Sequence, residues 1–304
     1  MQAPDDFNPP VGRAEQVAPG VRRILCGNPS AFTYRGTNTY LVGSGDLAVI
    51  DPGPDDAAHL AAILSAPRAG ERITQILVTH AHRDHSPLAR ALSRETGAPV
   101  LAYGGALAGQ SEVMRRLAQS GEIGGGEGAD SDFVPDVSLP DGATVSGEGW
   151  HMTAIWTPGH FGNHMVFDLR GTVFCGDLVM GWATSIVSPP DGDLTDFMAS
   201  CERLRARAPR RLLPGHGAPI EQPGERIDWL LAHRRTREAA ILEALAAGPA
   251  ASADLAARIY TDIPAAMLPA ATRNVLAHLI DLMGKNRVAP EGDLTAATVF
   301  RRLS

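Results

Sequence analysis

The spacing of apolar positions divides the chain into two unlike parts. Through the first two-thirds, short apolar runs closed by glycine or proline alternate with amphipathic stretches. "NTYLVGSG" (38–45) and "DLAVIDPGP" (46–54) read as strands ending in turns. "DDAAHLAAILSA" (55–66) reads as a helix and leads into the strand "ITQILVTH" (73–80). The same order resumes at "APVLAYGG" (98–105). A second group of strands follows at "HMTAIWTPGH" (151–160), "HMVFDLR" (164–170) and "GTVFCGDLV" (171–179). The helix "LTDFMASCERLRAR" (194–207) precedes the short strand "RRLLPGHG" (210–217). Strands and helices that alternate without an unbroken βαβ series predict an α/β protein with layered sheets and helices outside.

Past Pro223 the period becomes helical. "ERIDWLLAHRRTREAAILEALAAG" predicts one long helix ending at Gly248, followed by helices at "SADLAARIY" and "ATRNVLAHLIDLMGK". Leu276, Leu279, Ile280 and Met283 recur at helical spacing and face a small core, and "NRVAPEGD" reads as a turn or hairpin. Three helices and a hairpin suggest a winged-helix-like module. The expected division is therefore 1–222 for a larger α/β domain and 223–304 for the module.

Composition narrows the class. An apolar fraction of 44% and a charged fraction of 20% are ordinary for a globular protein. Three dispersed cysteines, Cys26, Cys175 and Cys201, do not form a disulfide framework and fit a reducing compartment. No apolar run approaches the roughly 20 residues that span a bilayer. The beginning "MQAPDDFNPP" lacks the pattern of a secretory signal. The expected location is cytoplasmic, with no membrane partner. A net charge of −7 disfavours a general nucleic-acid binder. Arginines nonetheless cluster at Arg203, Arg205, Arg207, Arg210 and Arg211, and at Arg234, Arg235 and Arg237. These runs read as solvated helix faces, with a local anion-binding patch as the alternative. The stretch 120–133, with Gly124, Gly125 and Gly126, reads as a surface loop and makes a poor phosphate cradle.

The chemistry concentrates in "THAHRDH", where His80, His82, Asp84 and His85 fall between a strand and the next helix. Residues two apart on extended chain point the same way, so His80 and His82 can share a cation. Asp84 and His85 can aim at a second point nearby. Imidazoles with carboxylates suit zinc, and also iron or manganese. His160 in "TPGH", Asp177 in "FCGDLV" and His216 in "LPGHG" follow apolar stretches and abut glycines or turns. Three more donors arriving at strand ends is what a rigid metal site requires.

"THAHRDH", "TPGH", "GD" and "PGHG", in that order, resemble the metallo-β-lactamase superfamily over about residues 20–220. "GTNTYLVGSG", "TPGHFGNHMV" and "ATRNVLAHLIDLMGKNRV" resemble its β-lactamase-like protein 2 branch, whose proteins carry a winged-helix-like C-terminal module. The resemblance implies a four-layer αββα sandwich with the site along one edge. It also implies two metals: His80, His82 and His160 on the first, Asp84, His85 and His216 on the second, and Asp177 bridging. Asp51, in "VIDPGP", would support a ligand from behind. His164 is expected as a catalytic group against substrate or a support behind a ligand, with an ordinary polar residue as the alternative. Cys175 is expected as a small buried residue outside the ligand set. His59, His151, His233 and His278 are expected at the surface or as satisfied core residues.

A bridging aspartate resembles the hydrolase side of the superfamily more than the true zinc lactamases. The expected reaction is hydrolysis by a bridging hydroxide, with the pKa of its water lowered towards about 7 and Asp84 orienting it. The expected substrate is a small molecule, an ester or thioester of an acyl compound. The alternative is an endoribonuclease acting on single-stranded RNA, which the arginine clusters and the module favour and the acidic charge does not. A binding module with a structural metal is disfavoured, because structural zinc sites are closed around four ligands. No GxSxG elbow or cysteine motif offers a protein nucleophile.

Overall fold

The computed structural model describes residues 6–123 and 128–303. The Gly124, Gly125 and Gly126 run of the expected loop lies outside them. Two sheets form the larger part. The first runs β1 (Glu15–Ala18), β2 (Val21–Leu25), β3 (Asn38–Val42), β4 (Asp46–Ile50), β5 (Arg72–Leu77), β6 (Val100–Ala102) and β7 (Val137–Ser138), each beside the next. Its first four strands form an antiparallel meander, whereas β4 to β7 are mutually parallel. Parallel neighbours need crossovers, and α1 (Ala57–Ser65), α2 (Leu88–Thr96) and α3 (Glu112–Ser120) supply them. The second sheet has the order β12 (Arg211–Pro214), β11 (Thr172–Gly176), β10 (Met165–Leu169), β9 (Trp150–Trp156) and β8 (Thr144–Gly147). Only β11 and β12 are parallel, joined through α4 (Leu194–Ala206).

The layers follow from which face of each strand is apolar. Tyr40, Ile50 and Leu77 of the first sheet meet Met165, Phe167, Phe174 and Leu213 of the second in a shared core. Leu41, Val49 and Ile76 point the other way, onto Ile63 of α1 and Leu92 of α2. Val166, Val173 and Leu212 on the second sheet's outer face pack on Phe197 and Cys201 of α4 and on Ile227 and Leu230. Helix, sheet, sheet and helix is the expected four-layer order. Short polar residues start the helices: Asp56 accepts from the N–H groups of Ala58 and His59, and Asp193 from those of Thr195 and Asp196.

The C-terminal part contains α5 (Pro223–Ala246), β13 (Ala250–Ala251), α6 (Ser252–Ile259), a short turn of helix Ala265–Met267, α7 (Leu268–Gly284), β14 (Val288–Pro290) and β15 (Val299–Arg302). The last sheet has the order β13, β15, β14, so the wing is a three-stranded sheet, larger than the expected hairpin at 286–293. Its core joins Leu242, Leu255, Leu276, Leu279 and Phe300 with Met114 and Leu117 of α3. The first half of α5 packs on the sandwich and its second half on this core. The two cores are thus tied by one continuous helix.

Phe167 lies fully buried between the sheets. Phe167→Ala should cost about 3–5 kcal/mol of unfolding free energy through lost transfer and a residual cavity. Urea denaturation reads this, and a loss under about 1 kcal/mol would contradict the assigned core.

Candidate metal centre

The donors gather where strands of both sheets end. Asp51 directly follows β4, and His80, His82, Asp84 and His85 lie in the turn between β5 and α2. His160 lies beyond β9, Asp177 directly follows β11, and His216 lies two residues past β12. The "TPGH" segment is a loop, so His160 stands four residues past its strand where the sequence pattern suggests a strand end. Contacts between the sheets fix this edge. The Asn38 N–H donates to the Gly215 carbonyl at 2.7 Å, and the Met165 N–H to the Thr79 carbonyl at 2.7 Å. The Asn38 side-chain amide donates to the carbonyls of Pro214 at 3.0 Å and Gly217 at 2.9 Å, and Tyr40 Oη to that of Pro214 at 2.7 Å.

The donor atoms form two adjoining groups. His82 Nδ1 lies 2.9 Å from His80 Nε2 and 3.1 Å from His160 Nε2. His216 Nε2 lies 3.1 Å from Asp84 Oδ2 and 3.3 Å from His85 Nε2. Asp177 stands between the groups: Oδ2 is 3.7 Å from His160 Nε2 and 3.4 Å from His216 Nε2, while Oδ1 is 3.5 Å from His85 Nε2. Donors around a tetrahedral zinc lie about 3.3 Å apart, given metal–nitrogen bonds of about 2.0–2.1 Å. His80, His82 and His160 can hold one cation, and Asp84, His85 and His216 a second.

Hydrogen bonds behind the rings set which nitrogen faces the cluster. His160 Nδ1 donates to the Ile186 carbonyl at 2.7 Å and His216 Nδ1 to the Gly36 carbonyl at 3.1 Å. His85 Nδ1 donates to Asp51 Oδ2 at 2.9 Å. Thr79 Oγ1 gives its proton to Asp51 Oδ2 at 2.8 Å, so it accepts from His80 Nδ1 at 2.9 Å. Neutral His80 and His160 therefore both turn an Nε2 lone pair toward His82 Nδ1, which could donate to only one of them. Among the described residues Asp177 Oδ1 is buried without a hydrogen-bond partner. Unmatched lone pairs in a buried site fit a cation.

Charge gives the same reading. Burial holds His80 and His160 below the ordinary histidine range and pushes His82 down to about 3, so this group is neutral. Burial also acts against charge on His85 and His216, but the carboxylates of Asp84 and Asp177 outweigh it. His85 is held well above its usual value and His216 is raised to about 9. Burial opposes ionisation of Asp177, and His216 and His85 overcome it to keep this carboxyl well below the usual range. Without a cation, protons on His85 and His216 balance the two aspartates.

Asp51 is buried at φ +51°, a conformation that costs energy for a residue with a side chain. Its carboxylate also accepts from the Thr79 N–H at 2.7 Å, and its carbonyl from Thr39 Oγ1 at 2.6 Å. His59 braces that threonine through Nε2 at 2.8 Å and is buried, but among the described residues its Nδ1 has no partner, so it is only in part the satisfied core residue expected. His164 is fully buried behind the cluster. Its Nε2 accepts from the Asp177 N–H at 3.3 Å and its Nδ1 donates to Thr157 Oγ1 at 2.9 Å, which is the geometry of a support. Cys175 is buried, with Sγ donating to the Val179 carbonyl at 3.2 Å. Among the described residues His278 is buried with both ring nitrogens unpartnered, which corrects the expectation of a satisfied core or surface residue. The glycines beside the donors are there for space. A Cβ on Gly215 would lie 2.5 Å from Asp177 Oδ1, and one on Gly176 2.7 Å from His164 Nε2.

Sequence reasoning missed Thr79, Thr39 and Asn163. The buried Asn163 accepts from the Ala81 N–H at 3.2 Å and donates to the Gly104 carbonyl at 3.1 Å. Thr79 and Asn163 each lie close in sequence to a predicted donor, and that adjacency was the available signal. The carbonyls of Gly36 and Ile186 leave no trace in side-chain identity.

The arginine runs are engaged within the chain. Arg203 pairs with Asp141, Arg205 with Asp228, Arg207 with Asp168, Arg211 with Glu221 and Arg235 with Glu202. Arg210 donates to the Arg170 carbonyl, Arg234 is buried, and Arg237 stacks over Tyr260. Among the described residues no helix is long and apolar enough to cross a membrane.

Known proteins share both parts. The sequence pattern of the Metallo-beta-lactamase superfamily matches residues 33–216, and that of the Beta-lactamase associated winged helix domain matches 251–297. A Beta-lactamase-like protein 2 homolog of Drosophila melanogaster is 33% identical over 90% of this chain and 91% of its own length. An Atrochrysone carboxyl ACP thioesterase of Aspergillus fumigatus is 31% identical over 84% of this chain and 78% of its own. The crystal structure of a metallo-beta-lactamase family protein from Thermus thermophilus superposes with a TM-score of 0.75 at 25% identity, covering 94% of this chain and 100% of that one.

A cation entering at neutral pH must displace the protons on His85 and His216. Zinc added to chelator-stripped protein should therefore release protons, and the calorimetric heat should vary with the ionisation enthalpy of the buffer. Equal heats across buffers would contradict this charge state.

Proposed function

The chain belongs to the metallo-beta-lactamase superfamily, whose members are typically hydrolases, and on that premise we propose that it is a two-cation hydrolase of small acyl esters or thioesters. His80, His82 and His160 would hold one divalent cation, and Asp84, His85 and His216 the other, with Asp177 between the two groups. Zinc is the first choice for this donor set, with iron or manganese compatible. The observation that carries the reading is the convergence of five imidazoles and two carboxylates whose facing atoms lie 2.9–3.7 Å apart.

When bound, the cations supply a water whose pKa falls towards about 7 and an electrophile for the substrate's carbonyl oxygen. The chain's own side chains do the rest. Asp84, with 28% of its side chain exposed against 9% for Asp177, is the carboxylate that incoming water reaches. Its carboxylate would accept a hydrogen bond from such a water and orient it toward the substrate. Asp51 fixes the His85 ring directly and the His80 ring through Thr79. His164 is a positioning residue, holding the Asp177 backbone. The thiols are no rival nucleophiles, since burial pushes Cys26 and Cys201 up to about 12.

Two features support an acyl substrate over RNA. Phe32 is 53% exposed in the loop that carries the Gly36 carbonyl, and Leu107 is 79% exposed just beyond the Gly104 and Gly105 carbonyls that hold Asn163. Exposed apolar side chains on loops that also brace the candidate ligands suit an acyl chain, while the clustered arginines that would serve a polyanion are occupied within the chain. The thioesterase among the relatives agrees with this choice.

Metal-stripped protein should turn over an acyl-CoA thioester only after divalent metal is restored. Asp51→Asn should lower that turnover about 10–100-fold, the usual cost of losing a partner behind a metal ligand. Cleavage of labelled single-stranded RNA without thioester turnover would overturn the substrate class.

A further inference from the structure

His160 is oriented by a single acceptor, the Ile186 carbonyl. Ile186 sits in an irregular segment between β11 and α4 that no sheet ladder holds. Most of what grips it comes from the C-terminal helices. Arg234 of α5 donates to the Ser185 carbonyl and, at 2.9 Å, to Asn274 Oδ1. Asn274 of α7 also accepts from the Val187 N–H at 3.3 Å. Arg273, one residue earlier, donates to Ser188 Oγ at 3.0 Å and reaches the carbonyls of Pro189 and Ile123. The residues on either side of Ile186 are thus pinned, while Ser185 and Val187 are fully buried and Arg234 is 3% exposed.

We propose that Asn274, with Arg234 and Arg273, forms a clamp by which the C-terminal module sets the orientation of His160, and that these are positioning residues of the metal centre. The inference rests on reading His80, His82 and His160 as one cation position. An amide at position 274 has an oxygen able to accept from both the arginine and the Val187 N–H, so it locks backbone and guanidinium together. Without it, segment 185–189 loses its central tie, the Ile186 carbonyl is free to shift, and the His160 ring loses the partner that fixes its tautomer and direction. Among the described residues Asp84, His85 and His216 take no hydrogen bond from this segment. Its tie toward the shared Asp177 is Ser185 Oγ donating to the Leu178 carbonyl at 3.0 Å, a bond that does not involve Asn274. The effect is therefore confined to one of the two positions.

The test is zinc titration of the full-length, metal-stripped protein against a chromophoric chelator, which resolves two binding steps, with the unfolding of the metal-free protein measured alongside. Asn274→Ala should weaken one step about 10-fold or more and leave the other unchanged. Asn274→Asp keeps both acceptor contacts and should restore the weakened step. Arg273→Ala, which frees the same segment from its far side, should repeat the selective loss and decides the matter if Asn274→Ala does not fold. Wild-type affinity at both steps in the folded variants would overturn the clamp. So would equal weakening of both steps with a lowered unfolding midpoint, since that is general destabilisation. Failure of the unaltered protein to bind two ions would instead refute the underlying two-cation reading.

Discussion

The carboxylate of Asp51 is the constraint on which the rest of the site depends. It is buried at the end of β4 and its two oxygens accept from the Thr79 N–H, the Thr79 hydroxyl and His85 Nδ1. One group thereby sets the His85 ring directly and the His80 ring through a hydroxyl relay. Asp51 reaches this place only in a left-handed conformation, held by Thr39 and His59 from the neighbouring strand and helix. A local cost of this kind persists only where surrounding contacts over-determine it.

Around that constraint the fold works as a frame for lone pairs. Both sheets end at one edge, and the Asn38 and Met165 bonds between them fix the distance across it. Four of the five rings commit their far nitrogen to a fixed partner, and the fifth, His82, faces two of them. Buried imidazoles arranged this way repel unless a proton or a cation sits among them. The neutral His80, His82, His160 group and the protonated His85, His216 pair show the same demand met in two ways. The tail enters the same frame, because α5 runs through both cores and the clamp on Ile186 draws on both α5 and α7.

Much of this was legible in the sequence. The seven donors stood out because histidines and aspartates beside glycines at the ends of apolar runs have few other uses, and the structure brings all seven together. The glycines proved to be a steric need, as Gly215 and Gly176 show. Chain direction was less legible. "TPGH" looks extended, yet Trp156 ends the strand and His160 lies in a loop. The wing was underestimated because β13 and β15 are short and lie on either side of two helices. Thr79 and Asn163 were missed because their importance lies in partners distant in sequence. Most of the clustered arginines lie at the surface as expected, paired with acidic residues of other segments such as Asp141 and Asp228, and Arg234 departs from that reading by being buried.

The most direct test of the central claim is an anomalous diffraction map of crystals grown from zinc-saturated protein. Two peaks are expected about 3.5–4 Å apart, one among His80, His82 and His160 and the other among Asp84, His85 and His216, with Asp177 touching both. A single peak, or none among these residues, would contradict the account.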